Sequence, residues 1–298
     1  MTYHKPVLLT ESIEGLNIKP DGIYVDVTFG GGGHSKEILK NLKNGFLYGF
    51  DQDLDAEKNS IKSNNFKFIR SNFRYIKNFL RLEGVKKIDG LIADLGISSF
   101  QIDTPKRGFA HKHDSIIDMR MNVDSDFGAK DILNSYSEVE IARVFYDYGD
   151  IKQSRKIAKL IVKQRIIKEI HTTKDLIKIL EGIYPKKIEN KFLSRIFQAL
   201  RIEVNDEVNA LKDLLTDVVD ILKTKGRLVV ISYHSIEDKL IKNLINKGNI
   251  EGDIKTDFYG NKVSVFSSVN KKIIVPNKKE CNDNSRARSA KLRIAEKI

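Results

Sequence analysis

Through the first part of the chain, short apolar runs alternate with stretches in which apolar side chains recur three and four positions apart. The runs cover 23–28, 46–50, 66–69 and 88–94, each bounded by turn residues, and a fifth covers 227–232. Runs this short and this continuously apolar predict strands buried on both faces. Segments such as 36–42 and 55–63 carry helical spacing between them. Strand, helix, strand in repetition predicts an α/β fold with a parallel sheet between helical layers.

The alternation then stops. From 103 to 203 the spacing is helical, over 131–148, 151–168, 173–181 and 192–202, and no run there predicts a strand. The sheet pattern resumes after a helix at 206–222 that Gly226 stops, and the tail adds strands at 262–266 and 291–295. The polar, basic stretch 271–288 lacks periodicity and predicts a loop. The organisation that follows is a discontinuous α/β domain, 1–102 with 205–298, interrupted by an all-helical domain at 103–204.

Composition narrows the setting. With 298 residues, 41% hydrophobic and 31% charged, the chain can fold around a sizeable core. No apolar run approaches the roughly 20 residues a membrane span requires, and residues 1–9 lack the basic-then-apolar layout of a secretory signal. A single cysteine, Cys281, excludes an internal disulfide and a thiolate-rich metal site. These features predict a cytoplasmic protein with no membrane partner. The net charge of +12 suits a polyanionic partner, because bound cations release counterions from phosphates, and equally suits a solvated lysine-rich surface.

The first strand leads straight into Asp26-Val27-Thr28-Phe29-Gly30-Gly31-Gly32-Gly33-His34-Ser35, with a helix behind it. Glycines let a ligand approach the main chain, and a helix start leaves free N–H groups. The dinucleotide pattern G-x-G-x-x-G fails, because Ser35 stands at the third glycine position. An acidic residue four before the first glycine, followed by G-x-G, is instead the first motif of class I methyltransferases, which are Rossmann-like and bind S-adenosylmethionine. The second strand ends at Asp51-Gln52-Asp53, where a carboxylate can accept hydrogen bonds from both hydroxyls of an adenosine ribose. Asn72 and Phe73, after the third strand, are candidates to meet adenine.

The fourth strand ends in Asp94-Leu95-Gly96-Ile97-Ser98-Ser99, at the edge where open α/β sheets bind ligands. Amino-methylating enzymes commonly carry a D/N/S-P-P-aromatic motif there, and this chain has no Pro-Pro. The fifth strand ends in Ser232-Tyr233-His234-Ser235, but no G-x-S-x-G elbow supports a hydrolase. His111 and His113 lack further ligands at a metal-binding spacing, so no metal is expected.

Taken together, Gly30 to Ser35, Asp51 to Asp53, Asp94 to Ser99, Asp118 to Met121, Phe197 to Arg201, Ser232 to Asp238 and Ser285 to Ser289 resemble the RsmH/MraW family. The N-terminal His4-Lys5-Pro6-Val7-Leu8-Leu9 is similar as well, whereas Lys191-Phe192 stands where the family has His-Pro. That family methylates N4 of a cytidine in bacterial 16S rRNA. The resemblance implies a class I methyltransferase domain with an inserted helical domain for RNA recognition, and S-adenosylmethionine as cofactor. It implies cofactor contacts at Gly32, Gly33, His34, Asp51, Phe73, Asp94 and Gln101. The partner it implies is 16S rRNA or the small ribosomal subunit, and a homodimer is left open.

Two further sets of residues are candidates for the chemistry. Asp94 is the candidate catalytic residue, an acceptor for the N–H bonds of the target amine. On 151–168, Lys152, Arg155, Lys156, Lys159 and Lys163 share one helical face, with Ile157, Leu160 and Ile161 mostly opposite. Such a stripe serves either phosphates or water. With His234, these cations are the candidate substrate-binding residues.

Overall fold

In a computed structural model, which describes residues 6–254, 256–260 and 263–298, the five apolar runs are strands of one seven-stranded sheet. They are β1 (Ile23–Asp26), β2 (Phe46–Asp51), β3 (Phe66–Arg70), β4 (Ile88–Asp94) and β5 (Leu222–Ser232), paired in parallel. β7 (Lys291–Lys297) lies antiparallel to β5, and the short β6 (Phe266–Ser268) lies antiparallel to β7. The strand order is 3-2-1-4-5-7-6. Neighbouring residues on a strand face opposite ways, so Tyr24 enters one core and Val25 the other. Likewise Leu228 and Val230 oppose Val229 and Ile231. Two buried faces favour apolar residues on both sides of a strand, hence runs without a polar–apolar alternation.

The chain divides into two compact units, 1–96 with 208–298 and 97–207. In the sheet-bearing unit, α1 (Leu9–Leu16) packs over β4, β5 and β7, and α2 (Gly33–Asn41) over β2. Ile76 and Leu80 of α4 (Ile76–Leu82) join the other core, with Leu211 and Leu215 of α11 (Glu207–Ile221) and Ile241 of α12 (Ser235–Lys247). The order reverses at β1 and β4, and ligands of open α/β sheets bind beyond the carboxyl ends at such a point.

Several elements depart from the sequence pattern, each for a local reason. The helix expected over 55–63 is only α3 (Leu54–Glu57), because Asn59 turns its side-chain amide to the carbonyls of Asp55 and Gly30. The loop expected at 271–288 contains α13 (Lys278–Asp283), capped by the Asn277 side chain, which accepts from the Glu280 N–H at 2.9 Å. A helix of six residues with only Cys281 among polar ones leaves no apolar period to find. The strand expected at 262–266 is displaced to Phe266–Ser268, and Lys262 lies outside the described residues, as do His4 and Lys5. α1 was not anticipated. Its start is held by a distant partner, the Glu280 carboxylate that accepts from the Leu8 N–H at 2.7 Å.

The second unit is helical: α5 (Ser99–Asp103), α6 (Ala129–Ser135), α7 (Glu138–Gly149), α8 (Ser154–Ile167), α9 (Thr173–Leu180) and α10 (Glu189–Val204). Ile132, Phe145, Ile157, Leu176, Ile196 and Leu200 fill its core. The single helix expected over 131–148 is two, α6 and α7, broken at Tyr136. Ser137 and Glu140 form a capping box that starts the second, a signal already present as Ser-x-x-Glu.

Candidate active site

Beyond β1 the main chain turns through four glycines. Gly30 (φ +51°) and Gly32 (φ +73°) are left-handed, a conformation that a Cβ would strain. Gly32 caps α2, and a Cβ there would also meet the Phe29 ring at 2.8 Å. Gly33 is needed for a different reason, since a Cβ there would fall 2.1 Å from Cγ of Pro6. Gly33→Ala is therefore expected to push the N-terminal segment away at roughly 1–3 kcal/mol, a fall of several degrees in Tm. Thermal unfolding checks this, and an unchanged Tm would contradict the packing.

Asp26 is buried at the end of β1 and closes the turn from beneath. Its carboxylate accepts from the Ser35 hydroxyl at 2.7 Å and from the Thr28 N–H at 3.1 Å. Ser35, which breaks the dinucleotide pattern, is thus the residue that ties the helix start back to the strand end. Burial pushes the Asp26 carboxyl up to about 6, against these hydrogen bonds.

Asp51, half-buried at the end of β2, holds the turn from the side. Its Oδ2 accepts from the Gly30 N–H at 2.8 Å and its Oδ1 from the Asp53 N–H at 2.9 Å. Burial raises this carboxyl to about 6 as well, opposed by the two N–H bonds and assisted by the charges of Asp53 and Asp26. Asp53 is the N-cap of α3, accepting from the Asp55 N–H at 3.0 Å. Asn72 caps the turn at 73–75 and donates to Gln52 Oε1 at 3.0 Å, while Phe73 packs partly buried against the core.

At the end of β4, Asp94 is half-buried, and its Oδ1 accepts from the Tyr233 hydroxyl at 2.7 Å. Its own N–H donates to Thr28 Oγ1 at 2.6 Å, so the β4 end is tied to the glycine turn. Burial pushes the Asp94 carboxyl up to about 6; His34 and the tyrosine bond oppose this, and the charges of Asp26 and Glu237 add to it. His34 is buried, with Nε2 3.2 Å from the Val7 carbonyl oxygen. Burial depresses its pKa, against the Asp94 charge and the bond to Val7.

His234 is the N-cap of α12, and its ring folds onto Glu237, with Nε2 3.0 Å from Oε1. Glu237 Oε2 accepts from the N–H groups of Tyr233 at 2.9 Å and of His234 at 3.3 Å. The His234 side chain is only 8% exposed, so the ring faces the cap and not solvent. Tyr233 and Thr28 were not singled out in the sequence. Strand register alone brings them to Asp94.

Within the helical unit, Gln101 is buried in a capping box, its Oε1 accepting from the Ser98 N–H at 3.0 Å. Two of the motif segments are structural: Arg120 forks onto Asp118, and Arg201 onto Glu207 at 2.7 and 2.8 Å. Lys152, just before α8, and Arg155, Lys156, Lys159 and Lys163 on it are all exposed, opposite the buried Ile157, Ala158 and Ile161. Among the described residues none of these five cations pairs with a carboxylate. Arg165, by contrast, turns inward to the carbonyls of Leu133 and Tyr136 at 3.0 and 2.7 Å.

A sheet in the order 3-2-1-4-5-7-6, a glycine turn after β1 and carboxylates ending β1, β2 and β4 define a class I S-adenosylmethionine-dependent methyltransferase. Residues 1–298 match the MraW methylase family. The ribosomal RNA small subunit methyltransferase H of Parabacteroides distasonis is 54% identical over 298 residues, covering 99% of this chain and 98% of that protein. Its counterpart in Bacteroides thetaiotaomicron is 52% identical over 298 residues, with coverage of 100% and 98%. The chain belongs to the MraW methylase family.

Proposed function

We propose that the chain methylates N4 of a cytidine in 16S rRNA, as free RNA or in the small ribosomal subunit, and works in the cytoplasm. The observation that carries this reading is the half-open carboxylate of Asp94. One oxygen is held by Tyr233, and the other has no partner among the described residues. The names of the relatives supply the RNA.

The strand ends fit S-adenosylmethionine. Gly30 and Gly32 leave bare main chain at the turn, and each Asp51 oxygen has engaged only one N–H, which leaves lone pairs for two vicinal ribose hydroxyls. In this reading Gly32, Gly33 and His34 would hold the methionine end together with Asp94, Asp51 would hold the ribose and Phe73 would lie near adenine. The cofactor supplies an electrophilic sulfonium methyl group.

The target amine is a poor nucleophile because its lone pair is delocalised into the cytosine ring. An acceptor for its N–H bonds lets the nitrogen pyramidalise and recover that pair. Asp94 Oδ2 is the acceptor, and holding donor and acceptor together accounts for much of the rate. A base stacked in folded RNA must first be turned out. The unpaired cations Lys152, just before α8, and Arg155, Lys156 and Lys159 on it grip phosphates in this reading. His234 contributes through the turn it caps.

Base-resolved mapping of methylated cytidines in rRNA from cells with and without the gene tests the proposal. One N4-methyl mark in 16S rRNA is expected to vanish with the gene and return with it. An unchanged pattern would overturn the assignment.

A further inference from the structure

We infer that Tyr233 is a positioning residue for methyl transfer: its phenol takes up one oxygen of Asp94, so that a single, oriented oxygen meets the amine. The inference rests on the proposed role of Asp94 and gives a role to Tyr233 within the segment Ser232 to Asp238.

The geometry leaves Tyr233 little freedom. Its N–H is held by Glu237 Oε2 at 2.9 Å, inside the cap that also fixes His234. Its ring lies over Gly96, where a Cβ would stand 3.4 Å from ring carbon Cδ2. Gly96 itself sits at φ +108°, a conformation that suits glycine and brings the β4 turn under the ring. The strand ends are joined independently, since the Leu95 N–H donates to the Ile231 carbonyl at 2.9 Å. From this frame the hydroxyl reaches Asp94 Oδ1 at 2.7 Å.

The direction of that bond is settled by its surroundings. Burial, the Asp94 charge and the Glu237 charge all drive the Tyr233 phenol well above its ordinary pKa, so it stays protonated and donates. It is therefore no base for the amine. A carboxylate without such a donor turns about its last bond and offers two equivalent oxygens. With one oxygen taken, the second is distinct and its lone pairs have a fixed direction. A donor to the charged form also holds the carboxyl ionised against burial. The other charged or titratable groups facing Asp94 are His34 from α2, Asp26 from the β1 end and Glu237 from α12, and each can be left intact.

The test is Tyr233→Phe in the full chain, which removes one oxygen and keeps the ring on Gly96. The expected result is a kcat lowered about 10- to 100-fold, with binding of S-adenosylhomocysteine unchanged and Tm lowered by no more than a few degrees for the lost hydrogen bond. Carbon-13 NMR of the Asp94 carboxyl should show its midpoint moved above about 6, and the acid limb of kcat should move with it. Placing 3-fluorotyrosine at 233, a stronger donor, should shift both the other way. Unchanged kcat and midpoint in Tyr233→Phe, with Asp94→Asn inactive, would overturn the inference and leave the role of Asp94 standing. An active Asp94→Asn would instead remove the reading on which the inference rests.

Discussion

Replacing Asp94 with asparagine is expected to slow methyl transfer by about 10²- to 10⁴-fold, the range over which a positioned proton acceptor contributes. The substitution keeps the shape and an oxygen for Tyr233 to bond. It puts an amide N–H, a donor, where the target amine needs an acceptor. Single-turnover methylation of an rRNA fragment at saturating cofactor, beside far-ultraviolet circular dichroism, separates chemistry from binding and folding. Near-normal turnover would remove Asp94 from the mechanism.

The same carboxyl sets a pH dependence with a definite sign. Acceptance requires the ionised form, so wild-type kcat should fall as pH drops through about 6. Stability runs the opposite way. The folded-state pKa is raised from an ordinary 3.8 to about 6, so the native chain binds more protons than the unfolded one between those values. Stability therefore declines as pH rises through that window, with Asp26 and Asp51 adding to the decline. Asp94→Asn should flatten part of that slope in pH-resolved unfolding.

The second large effect belongs to RNA affinity. Reversing Lys152, Arg155, Lys156 and Lys159 to glutamate together is expected to weaken rRNA binding by roughly 100-fold near 0.1 M salt, and to lower the slope of log affinity against log salt by roughly 3. The Tm should barely change, because the four side chains are exposed and no ion pair is broken. Titrations at several salt concentrations give both numbers. Unaltered affinity and slope would mean that the stripe only solvates α8.

Much of the scaffold was legible before the structure, for particular reasons. The runs at 23–28, 46–50 and 88–94 are mostly apolar on both sides of the strand because β1, β2 and β4 are covered on both faces, and the carboxylates Asp26 and Asp94 fall at their ends. The helical stretch from 103 to 203 announced itself by its period. The elements that were missed or cut short have their causes outside their own residues: Glu280 starts α1, and Asn59 ends α3 by reaching back to Gly30.

The candidate site divides the same way. Asp26, the four glycines, Asp51 and Asp94 are visible in the sequence because their spacing follows the strand-turn-helix unit that holds them. What Ser35 does at the turn, and that His234 faces inward as a cap, required coordinates. So did the meeting of Tyr233 with Asp94, which lie 139 positions apart. The chain by itself determined which residues end each strand, because that is local periodicity. Only tertiary structure decided which strand ends are neighbours, because sheet order is set by packing between segments that share no local pattern.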